Sequence, residues 1–274
     1  MAITAADVSK LRKTTGAGMM DCKKALTEAE GDFEKAVEII RKKGQAIASK
    51  RADREATEGA VLAKTTADGK KGAILVLNCE TDFVAKNESF VAFAASILDV
   101  ALASDATDVE AVKALDLNGR TVQEQITEQT GVIGEKLDLS AFDTITAESV
   151  VAYIHLGNKL ATLVGFNQEV DAQVGKDVAM QAAAMAPVAL DADSVPAEVK
   201  EKELEIGKEL ARNEGKPEAM LEKIAMGRLN KFFKESTLLN QAFVKDNKVS
   251  IKQYLDSSSK GLTAVDFKRL ALEA

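Results

Sequence analysis

The chain has no Trp, two Tyr, two Cys and a single His in 274 residues, and each scarcity removes a class of chemistry. With His155 the only histidine, neither a His-cluster metal site nor the usual His-centred acid–base pair can be assembled. A Ser-His-Asp triad would have to use His155, yet no Gly-x-Ser-x-Gly elbow is present. Cys22 and Cys79 stand far apart and outside any Cys-x-x-Cys pair, which fits a reducing compartment better than a disulfide scaffold. Aromatic residues make up only 4% of the chain, so its cores must be built from Ala, Val, Leu and Ile. The longest apolar stretches, over residues 90–102 and 179–190, are broken by Ser96, Asp99 and Gln181, and no membrane span is expected. Residues 1–7 hold neither a basic nor an apolar leader segment, so a cytoplasmic location is expected.

What is present is charge of both signs. A net −7 argues against a general nucleic-acid binder, which needs clustered Lys and Arg for phosphate contacts. The balance is uneven: residues 1–54 hold 12 Lys and Arg against 8 Asp and Glu, a basic head that could meet an acidic protein surface. Gly16-x-Gly18 begins like a dinucleotide fingerprint. It lacks the third glycine and follows a helix rather than a strand, so it is rejected.

The spacing predicts three short helices in residues 1–54. Thr4 with Asp7 caps the first, which runs to Thr14. The second covers 20–29, and Asp32 caps the third over 33–43, with Val37, Ile39 and Ile40 inward and Gly44 as its end. Residues 50–55 read as a charged linker. Two apolar runs then flank Asp68-Gly69, a hairpin turn signal, and a helix over 88–104 follows. The same hairpin-then-helix order returns at 150–156, 160–166 and 177–186, with Asn78 and Asn167 at matching places, which reads as an internal duplication. Residues 108–115 and 122–131 read as connecting helices. From Pro196 two charged helical arms, broken at Gly215-Lys216-Pro217, carry a sparse apolar seam of Val199, Ile206 and Leu210 against Leu221, Ile224, Leu229 and Phe232, as in a protruding antiparallel coiled coil. Residues 263–274 read as a short amphipathic helix. The fold class expected is α+β.

Two segments carry more than composition. The first is Leu11-Arg12-Lys13-Thr14-Thr15-Gly16-Ala17-Gly18-Met19-Met20-Asp21-Cys22-Lys23-Lys24-Ala25-Leu26. Met19 and Met20 are adjacent at a helix start, so one of them should be exposed. The second is Leu77-Asn78-Cys79-Glu80-Thr81-Asp82-Phe83-Val84-Ala85-Lys86, where an apolar strand meets a helix and an acid stands beside a large aromatic. Such a corner can project side chains from a rigid base, but taken alone the residues favour Phe83 folding back into the core, as most Phe residues do. In order and separation these segments closely resemble the two signatures of the translation elongation factor Ts family, and the similarity runs through the whole chain.

That resemblance implies a non-enzymatic guanine-nucleotide exchange factor that binds elongation factor Tu carrying GDP and promotes GDP release. It implies a ubiquitin-associated-like head over 1–54 and core subdomains over 55–140 and 141–262. It also implies a coiled coil inserted near 190–233 and a C-terminal helix over 263–274. Thr81, Asp82, Phe83 and Val84 would disturb the partner's Mg²⁺ site. Arg12, Met19 and Met20 would lie against its nucleotide-binding domain, and His155 would touch its third domain. The residues alone favour an inert surface histidine at 155. No cofactor, direct nucleic-acid contact, membrane contact or small-molecule substrate is expected. The other readings are a ubiquitin-associated-type adaptor without exchange activity and a small-molecule enzyme, which would need a deep polar pocket around His155.

Overall fold

The computed structural model describes residues 3–272, and its helices begin where the capping chemistry places them. Thr4 and Asp7 form a reciprocal capping box ahead of α1 (Ala5–Thr15), and α2 spans Met19–Glu28. The Asp32 side chain accepts from the Lys35 N–H to open α3 (Phe33–Lys50). Val8, Leu11, Cys22, Ala25, Leu26, Ala36 and Ile40 form the core of this head, with Val37 and Ile39 half-buried at its edge. Gly44 does not end α3, which continues one and a half turns further. The reason lies across the interface. Gly44 is where α3 meets Gly131 in α7 (Val122–Ile133), and a Cβ on Gly131 would stand 2.3 Å from the Gly44 Cα.

Beyond the head, β1 (Glu58–Thr65) and β2 (Lys71–Cys79) form the expected hairpin. The short α4 (Asp82–Ala85), α5 (Glu88–Ala103) and α6 (Val109–Ala114) precede α7. Strand β3 (Asp138–Thr146) then returns to pair antiparallel with β2. The second half repeats that plan: β4 (Ser149–Ile154), β5 (Leu160–Phe166) and α8 (Ala172–Met185). There follow α9 (Ala197–Asn213), α10 (Glu218–Ser236), the small hairpin β6 (Ala242–Phe243) and β7 (Asp246–Ser250), and α11 (Ile251–Ser258). Two three-stranded antiparallel sheets result, β1-β2-β3 and β4-β5-β8, with β8 at Ala264–Ala271.

The sheets pack face to face. Strand alternation sends Val61, Ala63, Ile74 and Val76 toward Val150, Ala161 and Leu163 of the second sheet. Ala73, Leu75 and Leu77 point the other way, onto Phe90, Ala94 and Ile97 of α5. Val164 and Phe166 meet Val178 and Ala182 of α8 on the far side. The order of layers is helix, sheet, sheet, helix. Asn78 and Asn167 do the same job in the two halves. Asn78 accepts from the Ser140 hydroxyl of β3, and Asn167 accepts from the Thr263 N–H just before β8.

The C-terminal helix expected over 263–274 is a strand: residues 264–271 are β8, and 273–274 lie outside the described residues. Val265 with Phe267 and Leu270 with Leu272 are spaced by two rather than by three or four. Without this strand β5 would have a bare edge. The α9–α10 pair buries Leu221 and Leu229 of the expected seam but differs from expectation on α9. Gly207, Ala211, Leu221, Ala225 and Leu229 are buried, whereas Ile206 and Leu210 are exposed. A Cβ on Gly207 would come 3.1 Å from the Ala225 Cα, so small residues let the two backbones approach. Among the described residues no other helix or strand packs extensively along these arms. No helix among the described residues is long and apolar enough to cross a membrane.

The Gly44–Gly131 contact fixes how the head sits on the core. Gly131→Ala is expected to destabilise the protein by about 1–3 kcal/mol, the range for overpacking a tight interface. Thermal unfolding measures the loss, and limited proteolysis should show earlier cleavage around residues 51–55.

Candidate functional site

Strand β2 ends fully buried at Cys79, and the chain must then turn out of the core within a few residues. Thr81 caps α4, its hydroxyl accepting from the Val84 N–H at 3.4 Å. Ala85 is buried and Val84 packs partly against the first core, so two of the four α4 residues hold the turn down. Phe83, on the opposite side of that single turn, is 84% exposed. The core reading of Phe83 therefore fails, and the ring stands in solvent on a firm base. Asp82 is joined to Lys86 at 2.6 Å, and that hydrogen bond holds its carboxyl below the ordinary carboxylate range.

The base is firm because two carboxylates hold it. Glu135 accepts from the Glu80 N–H (3.2 Å), the Thr81 N–H (3.0 Å) and the Thr81 hydroxyl (2.7 Å). Glu80 accepts the Lys136 N–H at 2.6 Å and the Arg51 guanidinium at 2.7 and 2.9 Å. The Lys136 N–H first, and Arg51 after it, keep the Glu80 carboxyl below the usual carboxylate range. Burial, reinforced by the Glu135 charge, pushes the Cys79 thiol up to about 12, so it is not a nucleophile at neutral pH. The supposed linker is part of this support: Arg51 reaches Glu80, and the Lys136 ammonium donates to the carbonyls of Ala52 and Arg54.

The other singled-out residues lie on two neighbouring features. Arg12 is exposed near the end of α1. Met19 and Met20 are both exposed, by 58% and 64%, where only one was expected to be. Gly16, in the loop before them, faces Val132 at the end of α7, two residues from the Gly134-Glu135 turn. His155 stands on the exposed β4–β5 tip, its Nδ1 2.9 Å from the Tyr153 hydroxyl. That tip is drawn toward the corner's sheet. Asn158 O accepts from the Val61 N–H at 2.7 Å, and Lys159 pairs with Glu58 at 2.9 Å.

The elongation factor Ts family model matches residues 80–274 of this chain. Elongation factor Ts of Amoebophilus asiaticus (strain 5a2) is 57% identical, with 100% of both chains covered. The chain belongs to the elongation factor Ts family. The protein of that name from Christiangramia forsetii (strain DSM 17595 / CGMCC 1.15422 / KT0803) is 53% identical over 98% of each chain. The one from Porphyromonas gingivalis (strain ATCC BAA-308 / W83) is 52% identical over 100% of each.

Several further residues around the site of this elongation factor Ts fold carry little signal in the sequence. Leu156, beside His155, is 94% exposed, the most exposed large apolar side chain on the surface described. Adjacency to His155 and a hairpin turn were the available signals. Arg51, Glu80 and Glu135 gave none, because Glu135 lies 54 residues from Thr81 in sequence. Among the described residues no group of three or more His, Cys, Asp or Glu is placed to hold a metal.

Glu80 gives the corner a pH dependence with a definite sign. Its folded value lies below the ordinary 4.5, so its stabilising contribution is complete above the unfolded value and is lost as pH falls through the lowered folded one. The stability difference between the native protein and Glu80→Gln should therefore be constant above about pH 5 and shrink below about pH 4. Denaturant unfolding of both proteins across that range measures it.

Proposed function

We propose that this chain is the guanine-nucleotide exchange factor of elongation factor Tu, and that its β2–α4 corner does the work. The observation that carries this reading is Phe83, 84% exposed on a turn whose backbone is fixed on both sides. A large aromatic held rigidly in water has a high free energy unless something covers it. Little conformational entropy remains to be lost when it enters an apolar crevice. In this reading Phe83 inserts between helices of the partner's nucleotide-binding domain, with Asp82 beside it and Thr81 and Val84 holding the turn. The displaced helices disturb the partner's Mg²⁺ and phosphate site.

The effect on GDP is a matter of linkage. A factor that prefers the nucleotide-free partner weakens GDP binding by the factor by which GDP weakens its own binding, each tenfold being about 1.4 kcal/mol. Affinity comes from a wider surface: Arg12, Met19 and Met20 on the head, and His155 with Leu156 on the second hairpin. Division of labour follows. The broad surface holds the partner, and the corner acts on the state that has lost nucleotide.

Residues 1–54 form a ubiquitin-associated-like head. Residues 55–140 and 141–262 are the two duplicated subdomains, with β3 bridging that boundary and β8 completing the second subdomain's sheet from beyond residue 262. The α9–α10 pair is the inserted coiled coil.

Release of a fluorescent GDP from elongation factor Tu, with and without this chain, tests the function. Acceleration is the expected result, and an unchanged release rate contradicts the proposal. Within that assay, Phe83→Ala should lower the maximal release rate at least tenfold while weakening binding to the GDP-bound partner by less than threefold, because a wedge stabilises the distorted state in particular. Its folding stability should change by no more than about 0.5 kcal/mol, as for other exposed positions. Thermal unfolding and an affinity titration complete the comparison.

A further inference from the structure

We infer that Glu80 and Glu135 are positioning residues for exchange, and that through them the head sets the angle of the corner as well as adding affinity. The inference rests on the exchange reading given above. Each carboxylate serves the other's stretch of chain. Glu135, just after α7, takes both backbone N–H groups at Glu80 and Thr81 and the Thr81 hydroxyl. Glu80, at the end of β2, takes the N–H of Lys136, the neighbour of Glu135. The two segments are thus cross-clamped by charge-assisted hydrogen bonds, which are shorter and stronger than neutral ones. Only 15% of the Glu80 side chain is exposed, which limits competition from water.

The head reaches this clamp by three routes. Arg51, the C-cap of α3, grips Glu80 with both carboxylate oxygens engaged. The Lys136 ammonium holds the carbonyls of Ala52 and Arg54, in the turn that leaves the head. Gly44 and Gly131 bring α3 and α7 to backbone contact, and α7 runs directly into Gly134 and Glu135. A shift of the head therefore moves Arg51, Lys136 and Glu135 together, and these three set the orientation of Thr81. Thr81 caps the one turn that carries Phe83. None of the clamp residues needs to touch the partner. Their effect is on how steeply Phe83 is presented, and so on the rate of the step rather than on the strength of docking.

The test measures maximal GDP release and half-saturating factor concentration for Arg51→Met, Glu135→Gln and Glu135→Ala, with Phe83→Ala as reference and thermal unfolding for each. Arg51→Met removes only the head's ion pair to Glu80, and Glu135→Gln keeps an acceptor while removing the charge. Expected are a three- to tenfold lower maximal rate for Arg51→Met and Glu135→Gln, a larger loss for Glu135→Ala, and half-saturating concentrations within threefold of the native value. If Glu135→Ala does not fold, the two milder variants decide. Native maximal rates in both, alongside a slow Phe83→Ala, overturn the clamp while leaving the corner intact. A rise in half-saturating concentration with an unchanged maximal rate also overturns it, since that is lost docking. A native rate in Phe83→Ala removes the corner reading and this inference with it.

Discussion

Strand β2 is covered on both faces, by α5 on one side and by the second sheet on the other, and the rest of the molecule depends on that double burial. Its side chains from Gly72 to Cys79 are all buried, which gives a central strand little freedom to slip, because a one-residue shift would send every side chain to the wrong layer. The strand therefore delivers the chain to one fixed point at Cys79. Phe90, fully buried in α5, fixes the other side of the corner. What lies between must reverse direction over a few residues, and it does so with Ala85 turned in and Phe83 turned out. The exposure of Phe83 is thus a consequence of where the core ends. Burial of Phe83 would require α4 to rotate Ala85 out.

Around this point the charges are arranged to hold backbone rather than to react. Glu80 and Glu135 spend their acceptor capacity on N–H groups, a hydroxyl and one guanidinium. Cys79 is silenced by burial. Asp177 behaves similarly in the second half. Burial would raise its pKa, but hydrogen bonds from Lys245, Gln173 and Tyr254 outweigh that and hold the carboxyl below its ordinary range. Tyr254 in turn is pushed up to about 12, by burial first and by Asp177 second. These are structural carboxylates. Such networks hold the neighbouring backbone at fixed angles at a modest cost in desolvation.

The fold was legible in the sequence wherever the determinants were local. Capping at Thr4 and Asp32, the Asp68-Gly69 turn, and the two hairpin-then-helix units all follow from residues within a few positions of one another. Legibility failed where a distant partner decided the outcome. Gly44 looks like a helix end until Gly131 is seen against it, and the run from Ala264 to Leu272 looks amphipathic until β5 offers an edge. The apolar seam of α9 and α10 was sought in Ile206 and Leu210, yet close approach through Gly207 and Ala225 places the contact on the small residues. The corner itself was visible from Asp82-Phe83 after an apolar strand. Its support was not, because Arg51 and Glu135 come from elements on either side of it in sequence and carry no pattern that points to Thr81.

In the proposed exchange, Phe83 acts on the difference between two states of elongation factor Tu. Titrating this chain and Phe83→Ala against the partner in its nucleotide-free and its GDP-bound forms measures that difference directly, as the dissociation constant for the GDP-bound form divided by that for the nucleotide-free form. The account predicts that Phe83→Ala lowers the ratio chiefly by weakening binding to the nucleotide-free form, with binding to the GDP form nearly unchanged. Equal weakening of both forms, leaving the ratio intact, would make Phe83 an ordinary contact and contradict the account.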